Sequence, residues 1–502
     1  MPRPACERSS QDFKRMRPQA FLLLLMAMAA AAFSGASSAK TLHIGFLSSE
    51  PDWAIPESLS LEWQSAFQVA VQVLNSEARD SALRLEGVWE RCGCDWTSAQ
   101  NAAARLVEES RSKGGPGALL GVVGPACSQA AAAAAKVLQE HQIPLVSFAA
   151  TAARLSNRDL YPNLFRTVYS DDHQASSIAA MVNQLQATNV TIVYTNDAYS
   201  LPLAQQIRSL CDGNVFRMEL LEMGVNATLN SRQIDGMFNA IEPYTFLVLA
   251  LQPSVATQMW ELVLKLGKAS YPWWYLGSDG VTAVDITQEG SGRLEGEIGI
   301  APYGGDPSDE LVCQKFYEHW SERQQEYPGF ASNRSTSYVP YLIDAVTSLF
   351  EAANQASSQG IAAVNASSVL AALRSGRAHK GCTGSVEFDP DTGSRLVTSS
   401  ATVYELVSYA GSTWQLKGRI VNGRLSSLQP VTRPGTFPAN SSAAEVYYVG
   451  GEDKGRKSSK VNAALVAAIL VLCTAFIVVS VTLVCYHKLR HNSPLTFFRM
   501  QH

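Results

Sequence analysis

The feature of this chain that most constrains its fold is an alternation of short apolar strands with amphipathic helices from Lys40 to about residue 423. The first predicted strand, Thr41–Leu47, is followed by a segment in which apolar residues recur at helical spacing. Four further strand-like segments lie between helical stretches: Gly117–Val123, Pro144–Phe148, Val190–Tyr194 and Phe246–Leu251. Strands separated by helices are typical of βαβ units, so the sequence predicts an α/β fold with parallel sheets.

The length and charge of the chain narrow its class further. The chain has 502 residues, and its folded part extends over most of that length. This is longer than a single hydrophobic core usually accommodates, so we expect two α/β lobes. The formal net charge of −4 argues against nucleic-acid binding, which usually requires a clustered basic surface. The 34 glycines and 22 prolines are ordinary amounts, which disfavours a low-complexity scaffold.

Residues 1–39 have the pattern of a secretory signal peptide. Basic residues precede an apolar centre, Phe21–Phe33, and the small residues Ser37-Ser38-Ala39 favour cleavage before Lys40. The alternative is an uncleaved anchor helix, which the short apolar centre disfavours because the hydrocarbon core of a bilayer is about 30 Å thick.

The other end of the chain carries a predicted membrane anchor. The segment Val461–Tyr486 contains no Asp, Glu, Lys or Arg and is long enough for a transmembrane helix. Residues 424–460, rich in Ser, Pro, Gly and charge, are expected to form a stalk, and residues 487–502 a short cytosolic tail. Basic residues flank the span on both sides, but a cleaved signal predicts a type I single-pass protein of the plasma membrane or another endomembrane-derived surface, with its ectodomain extracellular or lumenal.

Cysteines and glycan acceptors agree with export. Six cysteines remain outside the signal and the span, an even number that permits three disulfides with connectivity left open: Cys92, Cys94, Cys127, Cys211, Cys313 and Cys382. A zinc site is disfavoured because Cys92-Gly93-Cys94 lacks the usual spacer and a second close pair. Five Asn-x-Ser/Thr acceptors lie on the proposed outer side: Asn189, Asn226, Asn333, Asn365 and Asn440.

The sequence lacks the common catalytic signatures. There is no His-Glu-x-x-His, no Gly-x-Ser-x-Gly and no phosphate-binding Gly-x-x-x-x-Gly-Lys-Ser/Thr motif. We therefore expect a protein that is not an enzyme, with no catalytic residue, no metal and no cofactor.

The segment Gly121–Ala130 combines a strand end, a Gly-Pro turn and the start of an alanine-rich helix, with Ser128 expected at the N-cap. A similar arrangement follows the next strand, where Ala149-Ala150-Thr151 precedes a helical turn. Because helix N-termini expose unpaired N–H groups, a carboxylate is a suitable guest for such sites. Ser128 and Thr151 are thus predicted to face one cleft at adjacent strand ends, the alternative being that each only caps its helix.

The same residues carry a family resemblance. Gly124–Ser128, Ile143–Thr151 and Tyr161–Asp171 are similar to the ligand-binding region of type I periplasmic-binding-protein-like receptors. This family includes bacterial branched-chain amino-acid binding proteins, the ectodomains of metabotropic glutamate and GABA type B receptors, and natriuretic peptide receptors. Four further segments match the family in the same order along the chain, and the resemblance covers roughly residues 41–420: Val193–Tyr199, Leu276–Gly280, Tyr341–Val346 and Gly381–Asp389.

The resemblance implies a two-lobed type I periplasmic binding protein fold with a cleft between the lobes. Lobe 1 would comprise about 41–168 and 298–395, and lobe 2 about 169–297 and 396–423. In the amino-acid-binding members the residues matching Ser128 and Thr151 hold the ligand carboxylate, with the backbone at Ala149 assisting.

The resemblance also implies an ammonium site. Asp171, Tyr199 and Asp279 match residues near the ligand ammonium in glutamate receptors, and two carboxylates plus a ring face suit a cation. Asp171 has the alternative role of capping a hinge. Trp53, in the loop after the first strand, is a further candidate for the cleft, with surface packing as its alternative. The family disulfide would join Cys92 or Cys94 to Cys127.

Together these expectations describe a single-pass receptor or binding protein that captures a small, amino-acid-like ligand and closes on it. The partners expected are that ligand, membrane lipid through one helix, and a homodimer or signalling co-receptor. The alternative is a structural, adhesion-like or peptide-clearance ectodomain that acts through partner association, with a non-amino-acid or vestigial cleft.

Overall fold

The computed structural model describes residues 40–426, apart from 78–82, 115–118, 185–186, 188, 212–214, 225–227, 243–244, 271–272, 287–290, 306–310, 323–337, 359, 399–401, 412 and 422–423. The predicted signal peptide, transmembrane helix and tail lie outside the described residues, as does all of the predicted stalk except Arg424–Ser426. No helix within the described ranges combines the length and apolar character needed to cross a bilayer.

The strands and helices alternate as the sequence predicts. The strands are β1 Lys40–Ser49, β2 Leu83–Cys92, β3 Leu119–Val123, β4 Leu145–Ser147, β5 Leu164–Arg166, β6 Val190–Thr195, β7 Val215–Leu221, β8 Phe246–Ala250, β9 Trp274–Gly277, β10 Ile298–Pro302, β11 His379–Gly381, β12 Gly384–Val386, β13 Thr402–Ala410, β14 Thr413–Val421 and β15 Arg424–Ser426. The α-helices are α1 Glu57–Glu77, α2 Trp96–Gly114, α3 Ser128–Gln139, α4 Asp171–Gln184, α5 Ser200–Leu210, α6 Ser231–Ala240, α7 Pro253–Lys265, α8 Asp279–Thr282, α9 Leu311–Glu322, α10 Val339–Ser357 and α11 Ala366–Arg374. Short 3-10 helices span Ala153–Ser156, Lys268–Ser270, Ser291–Leu294 and Ile361–Ala363.

Two sheets form the two lobes. The first has the strand order β2-β1-β3-β4-β5, and the second the order β15-β14-β13-β10-β9-β8-β6-β7. All pairs in the first sheet are parallel, as are the pairs from β7 to β10 in the second. The orders 2-1-3-4-5 and 7-6-8-9-10 repeat one topology, so each lobe has a crevice at the carboxyl ends of its strands where the order reverses.

The central strands are buried on both faces because helices cover the parallel sheets. Every residue of β3 and of β8 is buried, which explains why these strands are continuous apolar runs. Helix α10 packs on the first sheet and is buried along most of its length, including Val339, Leu342 and Leu349.

The structure moves two of the expected boundaries. The first lobe was expected to resume at about residue 298, but β10 pairs with β9 and β13 in the second sheet, so the crossing lies after Pro302. The stalk was expected to begin at residue 424, but Arg424–Ser426 forms β15 on the edge of the second sheet. In the first case a buried interior strand keeps the chain in the second sheet, and in the second case an edge strand extends that sheet past the predicted end.

Three crossings connect the lobes, and buried polar contacts tie them together. The Thr167 hydroxyl in the first crossing donates to the Tyr341 carbonyl at 2.8 Å, and the Tyr341 hydroxyl donates to the Tyr303 carbonyl in the second at 2.8 Å. Arg395, next to the third crossing, lies 3.6 Å from the Asp344 carboxylate, with both side chains buried. The crossings therefore form a compact hinge rather than three independent linkers.

Two disulfides form among the described cysteines, Cys94–Cys127 and Cys313–Cys382. The first settles the choice between Cys92 and Cys94. Cys92 carries a buried thiol, and burial raises its pKa to about 12. A third bridge through Cys92 is therefore not formed, because its thiol lies inside the core of the first lobe.

The glycan acceptors fall in different surroundings. Asn365 is exposed and caps α11, and its side-chain amide also donates to the Ala363 carbonyl at 3.1 Å. Asn189 is half-buried, and its amide donates to the Thr245 hydroxyl at 3.1 Å. Asn226, Asn333 and Asn440 lie outside the described residues.

Candidate ligand cleft between the lobes

The first wall of the cleft is the turn between β3 and α3. Gly124 has a φ of +87°, and a Cβ there would lie 2.8 Å from the Leu47 carbonyl oxygen, so glycine is required. The helix begins at Ser128 with Cys127 as its N-cap, one residue earlier than expected, and no side chain caps it. The first N–H groups of α3 therefore have no partner within the helix, and their partial positive charge faces the cleft.

The second wall is the loop between β4 and the 3-10 helix, and hydrogen bonds fix it against the first. The Ser147 hydroxyl donates to the Pro125 carbonyl at 2.8 Å and accepts from the Ala150 N–H at 3.1 Å. The Ser128 hydroxyl accepts from the Ala152 N–H at 3.2 Å. Ser128 thus joins the two helix starts instead of capping its own helix, and Thr151 lies beside it.

Arg166, at the end of β5, supports this second loop from beneath. Its Nη1 donates to the carbonyls of Thr151 and Ala152 at 2.8 and 2.9 Å, and its Nη2 donates to the Ser394 hydroxyl at 2.7 Å. The side chain is fully buried, and burial lowers its pKa to about 10. The Arg166 guanidinium therefore holds the backbone around Thr151 in place.

The third wall comes from the second lobe, at the ends of β6, β8 and β9. These strands lead into Tyr199, Gln252 and Asp279. Gly280 allows the close approach, because a Cβ there would collide with the Leu251 carbonyl oxygen. The second crevice therefore faces the first with an aromatic hydroxyl, an amide and a carboxylate.

The described residues line a small, partly open cavity between these walls. It is lined by Ile55, Trp63, Ala126, Cys127, Ser128, Ala149, Thr151, Tyr199, Gln252, Pro253, Asp279, Gly280 and Tyr338. The cavity volume is about 30 Å³, room for about two water molecules. A ligand of amino-acid size thus requires the walls to separate.

Asp279 is the centre of a buried hydrogen-bond network. The Tyr199 hydroxyl donates to its Oδ1, and the Gly280 N–H donates to the same atom at 2.8 Å. The Tyr338 hydroxyl donates to its Oδ2 at 2.6 Å. Burial raises the pKa of Tyr199 and Tyr338 well above 10, and the charge of Asp279 raises it further, so both remain neutral donors. Burial also raises the pKa of Asp279, against the stabilising effect of these donors.

Asp171 is linked to this network through Gln174. The Gln174 amide donates to Oδ1 of Asp171 at 2.8 Å, and its carbonyl accepts from the Asp279 N–H at 3.2 Å. The other oxygen, Oδ2, is buried, and a hydrogen bond from the Thr151 side chain favours the ionised form of the Asp171 carboxylate. Burial raises the pKa of Asp171 well above its usual value, and the nearby Asp279 carboxylate raises it further. The two carboxylates form a pair that can accept a cation or a proton.

Besides the bond from the Asp171 N–H at the start of α4 to the Thr151 carbonyl at 2.9 Å, two hydrogen bonds cross from lobe to lobe at the cavity. One is the bond from Tyr338, which precedes α10 of the first lobe, to Asp279. The other joins the Ser254 N–H of α7 to the Ala54 carbonyl in the loop after β1, at 3.0 Å. Asp52 shapes that loop by accepting from the N–H groups of Ala54 and Cys94 at 2.8 and 2.7 Å. The structure is therefore that of a closed cleft.

The sequence-predicted residues are distributed in a definite way. Ser128, Ala149, Thr151, Tyr199 and Asp279 line the cavity, and Asp171 lies behind it at the start of α4. Trp53 is half-buried against the core and is not among the described lining residues, because its loop turns Ile55 inward instead.

Sequence reasoning gave no ligand role to Trp63, Gln252 or Tyr338 at the cavity, nor to Gln174 and Arg166 beneath it. Trp63 lies in the segment after the first predicted strand, where apolar residues recur at helical spacing. Its helical spacing shows that it is buried, but not that it borders a cavity. The others carry no local motif, since their roles depend on residues far away in the chain.

Comparisons with known proteins agree with the geometry. The profile described as the receptor family ligand binding region matches residues 62–406. The chain is 24% identical over 299 residues to metabotropic glutamate receptor-like protein E of Dictyostelium discoideum, covering 58% of this chain and 36% of that protein. It is 24% identical over 260 residues to glutamate receptor 2.2 of Arabidopsis thaliana (51% and 26%). It is 36% identical over 81 residues to taste receptor type 1 member 3 of Felis catus (16% and 9%).

Each of these curated relatives is thus matched over little more than a third of its length or less. A solved structure also resembles the chain: a solute binding protein of an ABC transporter from Rhodopseudomonas palustris BisB5, in complex with 3,4-dihydroxybenzoic acid. It has a TM-score of 0.59 at 12% identity, covering 76% of this chain and 98% of that one. At that identity the likeness concerns the fold, which is the two-lobed periplasmic binding protein architecture.

Proposed function

Because the chain belongs to the receptor family ligand binding region family, we propose that it is a cell-surface receptor or binding protein for a small α-amino-acid-like ligand. The ligand would lie between the lobes, where it would be bound without being transformed. The relatives named as glutamate receptors support an amino-acid ligand, although the match covers only part of each.

The observation that carries this proposal is the opposite polarity of the two sides of the cavity, one formed by the first lobe and the other by the second. Ser128, Thr151 and the uncapped start of α3 offer donors and partial positive charge, which suit a carboxylate. Asp279 and Asp171 offer carboxylate oxygens, and Tyr199 offers a hydroxyl and a ring, which suit an ammonium group. A zwitterion satisfies both walls at once, whereas a simple anion or cation satisfies only one.

In this proposal, ligand binding is coupled to the angle between the lobes. The carboxylate site belongs to the first lobe, and Tyr199 and Asp279 belong to the second. A ligand that contacts both lobes binds more tightly when the lobes close around it than when they stand fully open, and so shifts the population toward that ligand-closed arrangement. The buried hinge around Thr167 and Arg395 gives the lobes a defined axis for this movement.

Isothermal titration of the purified full-length chain with a panel of α-amino acids tests the proposal. We expect heat of binding for at least one of them, and the ligand recovered unchanged by mass spectrometry. Titration with 3,4-dihydroxybenzoic acid tests whether a ligand that has a carboxylate but no ammonium group also binds. A folded sample that binds no α-amino acid would refute the amino-acid ligand.

A double variant locates the binding. Ser128→Ala with Thr151→Val removes both hydroxyls, and we expect affinity to fall by about 10- to 100-fold because hydrogen bonds to a charged group are lost. Ser209→Ala, on the exposed side of α5, is the matched control and should bind normally. Far-ultraviolet circular dichroism checks folding, since Ser128→Ala leaves the Ala152 N–H without its acceptor.

A second function is favoured by the narrowness of the cavity and its two lobe-to-lobe hydrogen bonds. A cleft that stays closed would leave the outer faces to act, as in an adhesion-like ectodomain that pairs with another subunit. Under that alternative, the double variant of Ser128 and Thr151 would leave partner association unchanged.

The proposal also includes the membrane attachment predicted from sequence, by a cleaved signal at residues 1–39 and one span at 461–486. It is supported by the receptor names of the relatives. N-terminal sequencing of the mature chain and surface labelling of intact cells test it directly. Retention of residues 1–39 or the lack of surface label would contradict it.

A further inference from the structure

The cavity wall beyond the two polar sites is apolar and aromatic. It is formed by Ile55, Trp63 and Tyr338 from the first lobe and Pro253 from the second. Trp63 packs edge-on against Phe148 and Tyr338, with ring centroids 5.2 and 6.2 Å apart. This wall is the part of the cavity left for a ligand side chain once the zwitterionic groups occupy their sites.

The charges near this wall are of one sign. Among the described residues that line the cavity, the charged side chain is Asp279, and none is lysine, arginine or histidine. Arg166 lies below the floor, where its guanidinium donates to backbone carbonyls and serine hydroxyls. A second carboxylate on the ligand would therefore be buried without a cation, close to an acidic pair.

One residue of this wall also carries a polar atom without a partner. Trp63 is 2% exposed, and its Nε1–H has no hydrogen-bond partner in the part of the chain that the structure describes. A buried donor without an acceptor is unfavourable, and a ligand oxygen would satisfy it. The wall is thus suited to a side chain that is uncharged but offers a hydrogen-bond acceptor.

We propose that the ligand is an α-amino acid with an uncharged side chain that carries an acceptor oxygen, and that Trp63 donates a hydrogen bond to it. This inference rests on the proposed function, since it assumes that the zwitterionic groups bind at Ser128, Thr151 and Asp279. It assigns Trp63 as a specificity-determining residue.

Two pairs of nearly isosteric amino acids test the inference by titration into the full-length chain. Glutamine and glutamate differ in side-chain charge, and we expect glutamine to bind at least about 100-fold more tightly. Threonine and valine differ in the hydroxyl, and we expect threonine to bind about 5-fold more tightly, the ratio that one net hydrogen bond gives.

The variant Trp63→Phe keeps an aromatic ring and removes the N–H. We expect it to reduce the preference for threonine over valine to less than about 2-fold, with valine affinity little changed. Trp260→Phe, which removes a buried indole N–H in α7 of the second lobe, at a residue that does not line the cavity, is the matched control and should keep the wild-type preference.

The outcomes separate the two claims. Binding by none of the four amino acids, nor by others of the panel, would overturn the proposed function. Tighter binding of glutamate than glutamine would leave that function intact and overturn the uncharged side chain. Equal binding of threonine and valine, or an unchanged preference in Trp63→Phe, would overturn the role of Trp63.

Discussion

The Tyr338 hydroxyl of the first lobe donates to the Asp279 carboxylate of the second at 2.6 Å, so the residue that we propose as the ammonium contact is also a closure contact. Tyr338→Phe removes this bond and leaves the ring packed on Trp63. We expect the closed arrangement to lose about 1.5–3 kcal/mol, the usual range for a hydrogen bond to a charged group. Small-angle X-ray scattering of the ligand-free chain should then show a larger radius of gyration.

Tyr161→Phe is the control for that measurement. Tyr161 is buried in the first lobe just before β5 and is not among the residues that line the cavity. We expect its variant to have the wild-type radius of gyration. An unchanged radius for Tyr338→Phe as well would show that the bond to Asp279 does not hold the lobes together.

The stability of the ligand-free protein should depend on Asp171 and on pH. Burial raises the folded-state pKa of Asp171 above its usual value of 3.8, and the charge of Asp279 raises it further. The native state thus keeps a proton that the unfolded chain releases, so this contribution is fully present below pH 3.8 and is lost as pH rises toward the folded pKa. Asp171→Asn keeps an acceptor for Gln174 and should therefore make the ligand-free protein more stable than the wild type at neutral pH.

Denaturant titrations between about pH 4 and 8 measure this effect, which should shrink toward the acidic end. The control is Asp172→Asn, whose exposed side chain should give little change. In the wild type, an ammonium ligand favours the ionised pair, so binding should release protons and weaken as pH falls. An Asp171→Asn variant that is less stable than the wild type at neutral pH would contradict the inference that burial and the neighbouring Asp279 carboxylate disfavour ionised Asp171.

Arg166 should be essential for the loop that carries Thr151. A lysine at this position keeps the charge but cannot reach the Thr151 and Ala152 carbonyls and the Ser394 hydroxyl together. Leaving buried carbonyls unsatisfied costs about 1–3 kcal/mol each, so we expect Arg166→Lys to lower the free energy of unfolding by at least about 2 kcal/mol. Binding at the carboxylate site should weaken as well.

Urea denaturation checks the stability of this variant, and titration checks its ligand affinity. Arg158→Lys offers a comparison, since Arg158 also donates to a backbone carbonyl, that of Leu164, but away from the cavity. It should reduce stability without changing affinity in the folded fraction. Equal effects of both variants on affinity would argue against a specific positioning role for Arg166.

The sequence was sufficient for the fold because its evidence is local and repetitive. The strands β3 and β8 are fully buried runs, and their predicted extents differ from the observed ones by two residues or fewer at each compared end. The family resemblance predicted Ser128, Thr151 and Asp279 around one cavity, because each lies in a short family motif that follows the end of a strand.

The closure contacts could not be predicted in the same way. Tyr338 is 59 residues from Asp279 in sequence, and a tyrosine before a Val-Pro helix start has no pattern that specifies its partner. Gln174 lies inside an ordinary helix, and its bond to the Asp279 N–H spans 105 residues. Such partners are set by how two lobes meet, which is a property of the tertiary structure and not of any segment.

The connectivity of the cysteines gives a last prediction. The Cys94–Cys127 bridge closes 33 residues and ties the loop after β2 to the turn that carries Ser128. Replacing both cysteines by serine should lower the free energy of unfolding by about 2–5 kcal/mol, and should weaken ligand binding because the start of α3 is released.

Cys92 is not part of this bridge, so Cys92→Ser should keep it. In the native wild type, the buried Cys92 thiol, with its pKa raised to about 12, should resist alkylation. Peptide mapping after alkylation distinguishes these cases, and a Cys92–Cys127 peptide would contradict the assigned pairing.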